Sequence, residues 1–215
     1  MEKKIIITIG RQFGSGGAEV GAKLAAALGI AYYDKELLTE AAKQSGLCEE
    51  TFEKADEQAI EGFSYAMPMS LPFWGGYLPC TNILSQDDCF RFQSETILSI
   101  AGKESCVLMG RCADYVLRDN PDCISFFVHN SMEARVQCVV QRSSLSVEQA
   151  KEMIEKADKQ RAAYYDFYTN KEWGKASSYH CCLDVSILGV DDTVGMMVDI
   201  VRRMAQRSQN IPDKK

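Results

Sequence analysis

The sequence predicts an α/β fold, a parallel sheet covered by helices on both faces, and three observations carry that expectation. Five short, largely apolar runs read as strands: Lys4 to Ile9, Ala31 to Asp34, Ser105 to Met109, Cys123 to Val128 and His180 to Asp184. Segments with helical spacing separate them, with Val20, Leu24, Ala27 and Leu28 in one and Val194, Met197, Val198, Val201 and Met204 in another. Nearly all-apolar strands that alternate with helices belong to parallel sheets. Third, a glycine-rich turn follows the first strand, and such sheets bind ligands at the carboxyl ends of their strands.

The turn is the most informative element. In Ile5-Ile6-Ile7-Thr8-Ile9-Gly10-Arg11-Gln12-Phe13-Gly14-Ser15-Gly16-Gly17-Ala18-Glu19-Val20-Gly21 a strand drops through glycines into a helix. Backbone N–H groups converge on an anion only where side chains do not block them, so this is a phosphate cradle built on a helix N-terminus. It departs from the standard G-x-x-x-x-G-K-[ST] loop: five residues separate Gly10 from Gly16, and Gly17 and Ala18 stand where the lysine and hydroxyl belong.

The second strand ends at Asp34, placed to bind a sugar hydroxyl, orient a cation or cap the helix that begins at Lys35. From about 49 to 85 the alternation is interrupted by an acidic piece leading into Met67 to Pro79. That stretch is too rich in proline, glycine and aromatics for a strand or long helix, and reads as a cap-like insertion or an apolar loop against the core or a second copy of the chain. A helix runs from near Ser85 to about Gly102, with Ser85-x-x-Asp88 as its capping box. From Ser146 to Tyr168 lies one long helix opened by Ser146-x-x-Gln149. Its apolar stripe is Ala150, Met153, Ile154, Ala157, Tyr164 and Tyr168, and Arg161 falls on it. That charge is either a snorkelling arginine or a guanidinium held over a phosphate; the helix reads as a lid-like element, 146–168.

The bulk properties bound the function. A chain of 215 residues forms one domain, and a net charge of -6 lacks the basic face that nucleic acid requires. No apolar run approaches the ~20 residues of a membrane span, and the N-terminal apolar run is too short for a signal sequence, so a cytoplasmic protein is expected. Nine cysteines without a CxxC pair read as reduced thiols, and two histidines argue against zinc at Cys181-Cys182. His129 and His180 have no nucleophile near them in sequence and take no catalytic role.

Three arginines stand where a phosphate would lie: Arg11 in the glycine turn, Arg111 after the third strand in Met109-Gly110-Arg111, and Arg161 on the long helix. Phosphoryl transfer asks of a protein mainly positioning and positive charge, which arginines from separate elements supply. Arg11 would replace the missing loop lysine by pointing into the cradle. Arg135, Asp158 and Lys159 are weaker candidates.

Taken in series, Ile9-Gly10-Arg11-x-x-Gly14-Ser15-Gly16-Gly17, Tyr32-Tyr33-Asp34-Lys35-Glu36-Leu37-Leu38, Gly110-Arg111-Cys112-Ala113, Glu133-Ala134-Arg135, Asp158-Lys159-x-Arg161-Ala162-x-Tyr164-Tyr165 and Asp184-Val185-Ser186 resemble the cytidylate kinase-like family. The resemblance implies a three-layer α/β/α P-loop NTPase fold with a five-stranded parallel sheet and helical lid and cap insertions. It further implies ATP with Mg²⁺ as phosphoryl donor and a nucleoside monophosphate or similar acceptor. Gly10, Gly14, Ser15, Gly16, Gly17 and Arg135 would serve the donor, Asp34 and Arg111 the acceptor, and Arg11, Arg111 and Arg161 the transfer. The metal ligand is unassigned, with Ser15 or Thr8 as candidates, and a homodimer is left open. Cytidylate as substrate does not follow, because Gly17 and Ala18 replace the loop lysine and hydroxyl.

Two other classes compete. A non-catalytic nucleotide or anion sensor would explain the lost lysine. A dinucleotide oxidoreductase would explain Gly10-x-x-x-Gly14-x-Gly16 and Asp34, but no tyrosine here has the lysine four residues on that such chemistry uses.

Overall fold

The computed structural model describes residues 4–34 and 86–209. The cap-like insertion 49–85 and the Ser85 capping box therefore lie outside the described residues.

Five strands, β1 (Ile6–Arg11), β2 (Ala31–Tyr33), β3 (Cys106–Met109), β4 (Cys123–His129) and β5 (Cys181–Asp184), form one parallel sheet in the order β2-β3-β1-β4-β5. Each matches the sequence reading to within two residues. The largest difference is at β1, which runs on to Arg11 because the longer β4 continues to pair with it, Gly10 opposite Phe127 and Arg11 opposite Val128. The glycine turn thus begins with Arg11 still fixed by the sheet.

Because successive strand residues face opposite sides, the sheet sorts its apolar residues into two cores. Ile7, Ile9, Val107, Met109, Ile124, Phe126 and Val128 pack beneath α1 (Gly17–Leu28) and the C-terminal helix, while Ile6, Cys106, Leu108 and Cys123 meet Ile97, Ile100, Ala101 and Leu117 on the other side. The second face is covered by α2 (Gln86–Lys103) and the single turn α3 (Ala113–Val116). Helices α4 (Met132–Arg142) and α5 (Val147–Thr169) pair through Val136, Val139, Ala150 and Ile154, with Phe13 of the glycine turn against them. The C-terminal α6 (Val185–Gln209) breaks at Gly189, whose φ of 71° is not helical. No helix among the described residues is long and apolar enough to cross a membrane.

The long helix begins as its sequence demands. Ser146 Oγ accepts from the Gln149 N–H, and the Gln149 side chain accepts from the Ser146 N–H, a complete capping box. Its apolar stripe is less uniform than the spacing suggests: Ala150 and Ile154 are buried, whereas Met153 is 42% exposed. Beyond Arg161 the contacts pass to aromatics, Tyr168 stacking on Phe90 at 4.1 Å and Tyr165 against Tyr179 at 5.8 Å.

Thr8 sits mid-strand, 2% exposed on the face covered by α2 and α3, so its hydroxyl does not reach the glycine turn and is no metal ligand there. Its Oγ1 has no hydrogen-bond partner among the described residues. Replacing an unpaired buried hydroxyl by a methyl of similar shape removes a desolvation cost. Thr8→Val should stabilise the protein by about 1 kcal/mol, read as a higher Tm in calorimetry; a lower Tm would mean that the hydroxyl has a partner.

Candidate active site

The glycine turn is held open by its backbone. Gly14 and Gly16 have φ of 74° and 83°, in the left-handed region that L side chains rarely adopt, and a Cβ at Gly14 would lie 3.1 Å from the Arg135 carbonyl. At Gly17 a Cβ would lie 2.7 Å from Arg11 Cβ. Here is the physical reason for the missing lysine: the Arg11 stem fills the space that a side chain at position 17 would need. The first N–H groups of α1 have no intrahelical acceptor. The Gly17 N–H turns back to Ser15 Oγ at 3.3 Å, and Ser15 itself is 1% exposed, so its hydroxyl is engaged within the loop.

Arg11 does not point into the cradle as expected. Its stem crosses Gly17 and its guanidinium continues toward Gly110, where Nη2 donates to Asp34 Oδ1 at 2.9 Å with both side chains about one-fifth exposed. The sheet order explains this, since β3 lies between β1 and β2 and Arg11 spans its end to reach Asp34. Asp34 is accordingly an ion-pair partner rather than an open ligand for a sugar.

Arg135, a weaker candidate in the sequence, is held deep in the structure. It is 3% exposed: Nε donates to the Phe13 carbonyl at 2.8 Å and Nη2 is paired with Asp158, whose other oxygen accepts from the Phe13 N–H at 2.8 Å. Asp158 and Arg135 thus hold both sides of one residue of the loop. One turn along α5, Arg161 donates to the Arg11 carbonyl at 3.0 Å and lies 5.5 Å from the Phe13 ring centroid.

Arg11, Arg111 and Arg161 converge on one cavity of about 120 Å³ at the carboxyl edge of the sheet. Gly10 and Arg11 of the glycine turn lie in its wall, whereas Gly14 faces Arg135 and Val139 and Gly16 faces Val190. Burial lowers the pKa of Arg11, Asp34 opposes that, and Arg111 reinforces it. Burial, then the charges of Arg11 and Arg111, bring Arg161 down to about 10. Arg161 also feels the opposing charges of Asp158 and Asp34. Arg111 is presented by an unusual turn: Gly110, Arg111 and Cys112 have φ of 69°, 57° and 54°, three successive left-handed residues. Such a conformation costs a non-glycine residue roughly 1–2 kcal/mol and is kept where it aims a side chain.

Sequence reasoning missed other residues lining this cavity: Asp114, Tyr164, Tyr165, Trp173 and Tyr179. Tyr165 donates to Asp114 Oδ2 at 2.7 Å. Burial pushes the Asp114 carboxyl above its usual range, and the Tyr165 hydrogen bond pulls it partly back. Tyr164 and Tyr165 were visible in the family-like run after Arg161, but Asp114 and Tyr179 carried no signal because they meet only in three dimensions.

A parallel sheet in this order, with a glycine turn leading from β1 into α1, is an α/β fold of the kinase type. The strand order also disposes of the oxidoreductase reading, because dinucleotide-binding folds place β2, not β3, beside β1. The cytidylate kinase-like family profile matches residues 6–187. An uncharacterized protein from Eubacterium ventriosum ATCC 27560 is 30% identical, with a TM-score of 0.68 over 93% of this chain and 99% of that chain. A gluconokinase from Sinorhizobium meliloti 1021 shares the fold at TM-score 0.55 and 15% identity, over 96% of this chain and 98% of that one. Shikimate kinase from Bacteroides thetaiotaomicron does so at 0.54 and 11%, over 92% and 98%. No curated protein matches. The chain belongs to the cytidylate kinase-like family.

The Asp114 carboxyl gives a pH signature. Its raised folded-state pKa means that the native state holds this proton more tightly than the unfolded chain. The associated stability is full below the ordinary carboxylate range and is lost as pH rises through the raised value. Asp114→Asn should melt above the wild type at neutral pH, and the gap should close on acidification. A gap that does not change with pH would assign the effect to packing.

Proposed function

We propose that the protein transfers the γ-phosphoryl group of ATP to a nucleoside monophosphate or similar small anionic acceptor, using a loop without lysine. The observation that carries this reading is the convergence of Arg11, Arg111 and Arg161, from three separate elements, on one cavity beside the glycine turn. Guanidiniums fixed before the reaction stabilise the charge on a moving phosphoryl group without reorganising, and a partly desolvated site makes each more effective.

The residues present fit the nucleotide's phosphates. Gly14 and Gly16 take positive φ and keep side chains out of the turn, and Ser15 keeps it in shape by accepting from the Gly17 N–H. ATP bound there supplies the group to be transferred. Arg161 and Arg111 face the acceptor side. Arg11, steadied by Asp34, bridges from the cradle to that side. Arg135 acts as a positioning residue, since its guanidinium is spent on Phe13 and Asp158. Mg²⁺ finds no group of three ligands among the described residues, and Ala18 offers no hydroxyl. An ion entering with ATP would rest chiefly on phosphate oxygens and water.

The sensor reading is favoured by one observation: Arg11 leads its charge out of the cradle, and no lysine replaces it. Turnover separates the two. ATP consumption measured against a panel of nucleoside monophosphates, with a no-acceptor control, should show acceptor-dependent ADP formation. Arg161→Ala should lower that rate by roughly 10²-fold or more while moving Tm little. ATP binding without acceptor-dependent turnover would make the protein a sensor, and an equal loss of stability and rate would make Arg161 structural.

A further inference from the structure

The cavity is lined by two chemically opposite kinds of group: three guanidiniums, and a carboxyl with the phenols of Tyr165 and Tyr179, Asp114 supplying the carboxyl. Asp114 shares the cavity with three cations, yet its hydrogen bond goes to Tyr165 and it forms no ion pair among the described residues. Its buried carboxyl accepts from Tyr165 and from backbone N–H groups of its own turn, and Lys171 is the cation whose charge acts on it. A carboxylate can accept about four hydrogen bonds, so a donor on a ligand in the cavity can still be added.

The Tyr179 hydroxyl points the same way. Tyr179 is 8% exposed, and its oxygen makes no hydrogen bond of ordinary length among the described residues, with the Tyr165 hydroxyl and the Gly174 backbone as its polar neighbours. It lies in the cavity wall against Gly10, where a Cβ would come within 3.3 Å of the hydroxyl. Native proteins rarely leave such a group unsatisfied except where a ligand or water meets it. The rings of Tyr164 and Trp173 add flat apolar walls.

Resting on the function proposed above, we infer that Asp114 and Tyr179, braced by Tyr165, are the specificity residues of the acceptor site. They read a hydrogen-bond-donating group, a hydroxyl or an amine, on the part of the acceptor remote from its anionic group. A buried carboxylate can only accept, so an acceptor bearing a carbonyl at that place leaves oxygen facing oxygen. Sites built to hydrogen-bond one substrate group reject analogues that lack it far more strongly than apolar pockets discriminate by size.

The test is equilibrium binding by calorimetry without ATP, using two matched pairs. Cytidine and uridine monophosphate differ in an amine against a carbonyl; ribose and deoxyribose forms of one nucleotide differ in a hydroxyl. The wild type should prefer the donor-bearing member of at least one pair by about 10-fold or more, and the pair that does so identifies whether amine or hydroxyl is read. Asp114→Asn should cut that preference at least several-fold while leaving inorganic phosphate binding unchanged. Tyr179→Phe removes only the hydroxyl, so it keeps the fold and decides the matter should Asp114→Asn not fold; it too should reduce the preference. A wild type that binds both pairs without preference, or variants with unchanged preference, overturns this inference and leaves the proposed function standing. A wild type that binds none of the four overturns the proposed function and this inference with it.

Discussion

The structure of the site depends on how one residue of the glycine turn is held. Phe13 has its N–H taken by Asp158 and its carbonyl by Arg135, and those two side chains pair with each other while nearly excluded from water. Breaking one partner of such a pair typically costs about 3–5 kcal/mol, because a charge is left buried alone. The constraint therefore welds β1, α4 and α5 into one unit around the phosphate cradle. It also limits how the long helix can act as a lid. Any opening of α5 near Asp158 and Arg161 must release the Phe13 and Arg11 backbone at the same moment, so movement of the helix and reshaping of the cradle are one event.

Around this anchor the protein concentrates positive charge that its overall composition opposes. The chain carries a net charge of -6, yet three guanidiniums line one cavity, Arg11 among them paired with Asp34. Their mutual repulsion and burial are what lower the pKa of Arg11 and Arg161. A small cationic recess in an otherwise acidic molecule focuses field lines on itself, favouring entry of small anions while discouraging extended polyanions such as nucleic acid.

Much of the fold was legible because its signals are local. Five apolar runs, the glycine turn and the Ser146 cap each depend on neighbours in sequence, and each formed where expected. The site was less legible because its decisive contacts join distant residues. Arg135 reads as an exposed helix charge in isolation, although its position beside Val136 and Val139 on the buried side of α4 held a clue. Gly17 was readable as an absent lysine; that Arg11 fills its space was not, since this depends on the path of a side chain. Asp114 and Tyr179 are far apart in sequence and come to one cavity only once β4 and β5 have paired and the turn at Gly110 has formed.

That turn has a consequence for how the sequence can change. With Arg111 and Cys112 both in the left-handed region, glycine at either position would relieve strain, and at Arg111 it would also relieve like-charge repulsion. Under the proposed function, in which Arg111 meets a phosphate, stability and ligand binding pull this segment in opposite directions, and a lineage screened for heat resistance alone would gain from glycine there.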